Sequence, residues 1–264
     1  MIIDFHTHCF PDHLAPKAVE RLSVVGGGLM AYTDGTLAGL RHRMAEDGID
    51  AAVVLNIATK PQQQTNVNNF AAAINNEQDI FSFGSVHPDA EDALEELERI
   101  KELGLKGVKF HPEYQQFAVD DPKMKPLYRK ISELGLITVF HAGVDYGFPP
   151  PYGCTPEALA SVLDCFETPV VAAHWGGLQF SEDVIRHLCG RDVYIDTSFG
   201  YGRLTRFHAE KILELHGMDK MLFATDMPWH TASLEMRLLA TLGLSEEEKE
   251  KLFCGNAKNL LGIK

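Results

Sequence analysis

The chain opens "MIIDFHTHCFPDH", residues 1–13, and the residues after this first apolar run decide between two α/β architectures. Side chains alternate faces along a strand. His6 and His8 on one extended segment therefore point the same way, where two imidazoles can share a metal ion. A doubly wound open sheet would carry a Gly-rich phosphate loop directly after that strand; "THCFPDH" stands there instead. With 12 histidines in 264 residues a His-x-His pair arises easily by chance, so it needs partners elsewhere in the chain.

Similar apolar runs recur at regular spacing: "MIIDFH" (1–6), "DAAVVLNI" (50–57), "IFSFGSV" (80–86) and "LKGVKFH" (105–111). "LITVFHA" (136–142), "PVVAAHW" (169–175), "VYIDTSF" (193–199) and "MLFATD" (221–226) complete the series. Most are near-continuous rather than alternating, as in parallel strands covered on both faces. Amphipathic segments lie between them, with Leu94, Leu97 and Ile100, then Met124, Leu127, Tyr128 and Ile131, then Leu159, Val162, Leu163 and Phe166 at helical spacing. Thr155 before Pro156 reads as N-cap and first helical residue, and Ser245 with Glu248 as a capping box. Glycines 48, 104, 135 and 243 sit where helices should stop. Strand then helix, eight times in about 250 residues, predicts a (β/α)8 TIM barrel. The expectation is a single domain over 1–264, with the Gly-rich stretch 23–36 inserted after strand one.

Composition narrows the partners. A net charge of −13 argues against broad contact with nucleic acid or anionic membrane, which need basic patches. An anionic substrate would need local positive charge. No apolar run approaches the roughly 18 residues of a membrane span, and no secretory signal is visible. Five scattered cysteines without a C-x-x-C suit free thiols in a reducing cytoplasm. The expected partner is a small molecule, and homo-oligomerisation is left open.

In such barrels catalytic groups sit at the C-terminal ends of strands, which provides a test independent of the opening pair. Strand one ends in His6 and His8, strand four in Lys109 and His111, strand five in His141, strand six in His174 and strand eight in Asp226. Strands two, three and seven offer less: Asn56, His87 just past its strand, and Asp196 or Ser198. Imidazoles with one carboxylate are a ligand set for zinc or another divalent transition metal. An open coordination position would lower the pKa of a bound water to about 7. Trp175, Trp229 and His230 adjoin these positions as candidate pocket walls or substrate contacts, alongside Lys109 and His111.

"DFHTH", "GVKFHP", "FHAG", "AHWGG", "FATDMPW" and the closing "GNAKNLL" together resemble the amidohydrolase superfamily. They resemble more narrowly its amidohydrolase-related group, which holds metal-dependent hydrolases and the aminocarboxymuconate-semialdehyde decarboxylase type. The resemblance spans the whole chain. It implies that His6, His8, His141 and Asp226 bind metal, that His174 is the catalytic acid/base, and that Asp226 also takes a proton from water. Some relatives bridge two metals with a carbamylated lysine near the position of Lys109. The expectation here is one divalent ion, zinc first, with manganese or iron as alternatives. The function expected is hydrolysis of a C–N or C–O bond in a small carbonyl substrate. Non-oxidative decarboxylation of a small aromatic or unsaturated acid is the alternative, and a non-catalytic binding barrel the third reading. Decarboxylation calls for an arginine in reach. Arg41 and Arg43 precede strand two, and Arg203 lies some residues past strand seven, which favours hydrolysis.

Overall fold

Eight short runs rich in Val, Ile, Phe and Ala become β1 (Ile3–Thr7), β2 (Ala51–Leu55), β3 (Ile80–Phe83), β4 (Gly107–Phe110), β5 (Ile137–Phe140), β6 (Val170–Ala172), β7 (Tyr194–Asp196) and β8 (Met221–Leu222). The structure, a computed structural model, describes residues 1–263. The strands pair in parallel as two arcs, β1–β2–β3 and β4–β5–β6–β7–β8. Gly84 N–H bonds the Gly107 carbonyl, and Lys109 N–H the Gly84 carbonyl, both at 2.9 Å, which joins the arcs. Phe5 N–H bonds the Phe223 carbonyl at 2.9 Å and closes β1 onto β8. The result is the eight-stranded parallel barrel that the strand–helix rhythm predicts.

Alternation sorts the strand residues into two layers. Phe5, Val53, Phe83, Val139 and Val171 pack in the lumen, whose lower end is covered by Ala257 and Leu261 of the helix Asn256–Leu261. Their neighbours Val54, Val108, Phe110, Phe140 and Ile195 face the helices, where Leu97, Ile100, Leu127 and Ile131 meet them. Leu94 departs from its helical pattern and is 39% exposed. Ala93 and Glu96 take the inner face of that helix instead.

The helix ends obey the sequence signals. Thr155 Oγ1 accepts the Ala158 N–H, and Ser245 and Glu248 form the reciprocal capping box. The four expected stop glycines all have positive φ. In the first connection the helix Ala15–Val25 takes in the start of the stretch assigned to the insertion. The chain then runs irregularly to the helix Leu37–Asp47. The ladders end earlier than the apolar runs do. His141, His174, Ser198 and Asp226 stay buried but lie beyond the last paired residue of their strands. These four residues thus stand at the mouth outside the ladders, while His6, Lys109 and Asp196 stay within them. No helix among the described residues is long and apolar enough to cross a membrane.

Candidate metal and catalytic centre

At the mouth, His6 and His8 aim at one oxygen of Asp226. His8 Nε2 lies 3.0 Å and His6 Nε2 3.4 Å from Asp226 Oδ1, and the two Nε2 atoms are 3.2 Å apart. The opposite ring nitrogens face pure acceptors. His6 Nδ1 is 2.8 Å from Asp196 Oδ2, and His8 Nδ1 is 2.7 Å from the Leu55 carbonyl. Each Nδ1 must therefore carry the proton, which leaves both Nε2 lone pairs confronting each other and a carboxylate oxygen. Three electron-rich atoms at this separation form a cradle that a cation between them would satisfy. Ligand bonds of about 2.0–2.2 Å space neighbouring ligand atoms roughly 3.0–3.5 Å apart, so this donor set fits one divalent ion.

Burial, and then the charge of Lys109, hold the His6 imidazole well below its ordinary pKa. Lys109 Nζ lies 3.4 Å from His6 Nε2. Its own pKa falls to about 8 because burial outweighs the attraction of Asp196 and Asp226. His141 does not join the triad directly. Its Nδ1 meets His174 Nε2 at 3.0 Å, while its Nε2 is buried without a partner. His111 stacks on it at 4.1 Å, 11° from parallel, and sits between Glu113 and Asp145. His111 Nδ1 faces Glu113 Oε2 at 3.4 Å, and the pair clusters with His141.

Asp196 organises the centre, a role that sequence reading ranked low. One of its oxygens holds His6. The other accepts the backbone N–H of His174 at 2.9 Å and of Ser198 at 3.0 Å, and the Ser198 hydroxyl. Ser198 Oγ in turn lies 2.8 Å from His174 Nδ1. One carboxylate thus orients both the expected ligand and the expected acid/base. The signal was present in "YIDTS", a carboxylate and hydroxyl at a strand end. His174 and Asp226 adopt left-handed φ of 59° and 72°, a strain of about 1–3 kcal/mol each for residues with a Cβ. The His174 N–H bond to Asp196 and the Asp226 N–H bond to the His6 carbonyl, 2.8 Å, hold them there.

The remaining candidates disperse. Trp175 is buried in the cleft wall beside His174. Trp229 is half-buried, its backbone N–H turned back on the Asp226 carbonyl at 2.9 Å. His230 Nδ1 contacts Glu235, which also accepts the N–H groups of Gly200 and Tyr201 at 3.1 Å. His87 caps its own turn, its Nδ1 accepting the Asp89 N–H at 3.1 Å. Arg203 does what its position in the chain did not suggest. The turn after β7 carries it into the cleft with His174, Trp175 and Phe199.

Solved structures with the same fold include an uncharacterized TIM-barrel protein from Bordetella bronchiseptica, at 21% identity and TM-score 0.80, covering 99% of this chain and 98% of that one. A dihydroxybenzoic acid decarboxylase from Polaromonas, with bound manganese and the inhibitor 2-nitroresorcinol, matches at 16% identity and TM-score 0.72 over 99% and 96%. A putative 2-pyrone-4,6-dicarboxylic acid hydrolase from Pseudomonas putida matches at 15% and 0.66 over 99% and 97%. Further decarboxylases recur among the matches. At these identities the likeness establishes the fold. A family model described as amidohydrolase matches residues 3–263; the chain belongs to the amidohydrolase family.

Proposed function

We propose that this protein is a metal-dependent hydrolase, directing water at a C–N or C–O bond of a small amide, lactone or ester. The observation that carries the reading is the shared Asp226 oxygen, which faces two imidazole lone pairs at 3.0 and 3.4 Å. His6, His8 and Asp226 would hold one divalent ion, zinc before manganese or iron, with His141 completing the set. When bound, the ion supplies Lewis-acid polarisation of the carbonyl and brings water near ionisation at neutral pH. Asp226 would accept a proton from the attacking water. His174 is anchored at Nδ1 by Ser198, and its Nε2, 3.0 Å from His141 Nδ1, would hold and return a proton. Asp196 fixes both imidazoles, so neither has to reorient during the reaction.

A second reading is non-oxidative decarboxylation of a small aromatic or unsaturated acid. The presence of Arg203 in the cleft supports it, since that cation meets the objection from arginine placement. The decarboxylases among the fold neighbours point the same way. The discriminating experiment incubates zinc- or manganese-loaded protein with a panel of lactones, amides, esters and dihydroxybenzoates. Hydrolysis of at least one carbonyl substrate is expected. Release of carbon dioxide from an acid, with no hydrolysis anywhere in the panel, would overturn the first reading in favour of the second.

A further inference from the structure

Next to the metal centre lies a buried carboxylate that the proposed chemistry does not use. Asp4 stands two residues before His6, in the part of β1 whose register on β2 shifts between Asp4 and Thr7. Its Oδ1 accepts the backbone N–H of His6 at 3.2 Å and that of Thr225 at 3.0 Å. Its Oδ2 accepts the hydroxyl of Thr225, also buried, at 2.6 Å. Thr225 Oγ1 in turn accepts the Met227 N–H at 3.0 Å. Thr225 and Met227 flank Asp226, the residue of left-handed φ 72° whose Oδ1 faces His6 and His8. Burying an ionisable group where Ile3 and Phe5 pack is costly, and an apolar side chain would fill the same space. The three donors that Asp4 gathers all come from the two segments that carry expected ligands. Both of its oxygens are committed to these donors, so Asp4 acts on the centre through His6 and Asp226 rather than as a ligand.

We propose that Asp4 and Thr225 are a positioning pair that sets the spacing of His6 and Asp226 for the ion. His6 Nε2 and Asp226 Oδ1 come from the first strand and from the segment after the last, and lie 3.4 Å apart. Ligand bonds of about 2.0–2.2 Å need that spacing. Two backbone bonds lay the segments side by side: Asp226 N–H to the His6 carbonyl at 2.8 Å, and His8 N–H to the Met227 carbonyl at 2.6 Å. The turn at Asp226 must also be held in a left-handed conformation that a residue with a Cβ does not favour. Thr225 Oγ1 staples that turn from within, and Asp4 ties the staple to the backbone of His6. The pair thus does for the ligand backbone what Asp196 does for the ligand ring. The inference rests on the metal centre of the hydrolase reading and not on the reaction catalysed.

The test compares wild type with Thr225→Val, which keeps the shape and removes the hydroxyl, and Thr225→Ser, which keeps the hydroxyl. Zinc affinity is measured by competition with a chelating dye, and coordination by the visible absorption of the cobalt(II)-substituted protein. Loss of a partner that orients a ligand costs about 10–100-fold in metal affinity. Thr225→Val should weaken zinc binding by that order and shift the cobalt bands. Thr225→Ser should restore most of the affinity and the wild-type spectrum. Asp4→Ala should weaken zinc at least as much as Thr225→Val. The double variant should lose little more than Asp4→Ala alone, because residues of one hydrogen-bond network are not additive; fully additive losses would overturn the pairing. A merely structural role predicts a lower melting temperature of the metal-free protein, with zinc affinity and cobalt spectrum as in wild type. That result in Thr225→Val, or a Thr225→Ser as impaired as Thr225→Val, overturns the proposal whether or not Asp4→Ala folds. No substrate enters these measurements. Thr225-dependent zinc binding without any hydrolysis in the panel would sink the hydrolase reading and leave the pair standing. Hydrolysis with Thr225-independent zinc binding would do the reverse.

Discussion

Asp196 shows how one residue can govern a centre that it does not chemically attack. Its two oxygens hold His6 Nδ1, the His174 and Ser198 backbone N–H groups, and the Ser198 hydroxyl that reaches His174. Removing the partner that orients a metal-ligating imidazole costs about 10–100-fold in metal affinity or activity. Asp196→Asn should therefore weaken zinc binding by that order in a competition titration with a chelating dye. Ser198→Ala leaves His6 anchored, so it should keep the metal and lower turnover. A zinc affinity unchanged in Asp196→Asn would show that Asp196 does not orient His6 for the ion. His174→Asn should likewise retain most of the metal and lose about 10²–10⁴-fold in turnover, the usual contribution of a general acid–base group. Metal analysis and rate measurement on the same preparation check this together; loss of the metal would make His174 a ligand.

At the scale of elements, the mouth is built where strands stop pairing and loops approach each other closely. Gly143, two residues after His141, has φ of 90°, and a Cβ there would stand 2.2 Å from Leu178 N and 2.4 Å from Leu178 O. The neighbour is backbone of the β6 loop, which Gly143 contacts through an isolated parallel bridge, so it cannot swing aside. Gly143→Ala combines left-handed strain of about 1–3 kcal/mol with overpacking of about 1–3 kcal/mol. Equilibrium denaturation should show a loss of about 3 kcal/mol or more. A stability within about 0.5 kcal/mol of wild type, the range of an ordinary surface change, would contradict this account of the β5–β6 junction.

For the whole molecule, β1 and β8 are far apart in sequence but adjacent across the barrel closure, and each supplies donors to one cation site. A metal bound there would therefore staple the seam at which the first and last strands meet. A ligand that binds only the folded state adds about 4 kcal/mol at a thousandfold excess over its dissociation constant. Exhaustive chelation should lower the melting temperature by several degrees, and zinc or manganese should restore it. Elemental analysis should return about one divalent ion per chain, as a single open site requires. Protein shown to be metal-free and yet fully active would remove the ion from the mechanism.

Local rules settled much before any tertiary contact was known. Apolar runs at regular spacing specified eight parallel strands, because strand formation and two-sided burial are read from neighbouring residues. Thr155, Ser245 and the stop glycines marked helix ends for the same reason. His6, His8 and Asp226 were identifiable as chemically exceptional, since imidazoles and a carboxylate at strand ends stand out against an apolar run. Which atoms face which was beyond the sequence. The pairing of Asp196 with His6 spans 190 residues, and nothing in "YIDTS" names its partner. Arg203 carried no mark at all. Its place beside His174 depends on the turn after β7 and on rings from two different loops, and only barrel closure brings those loops to one mouth.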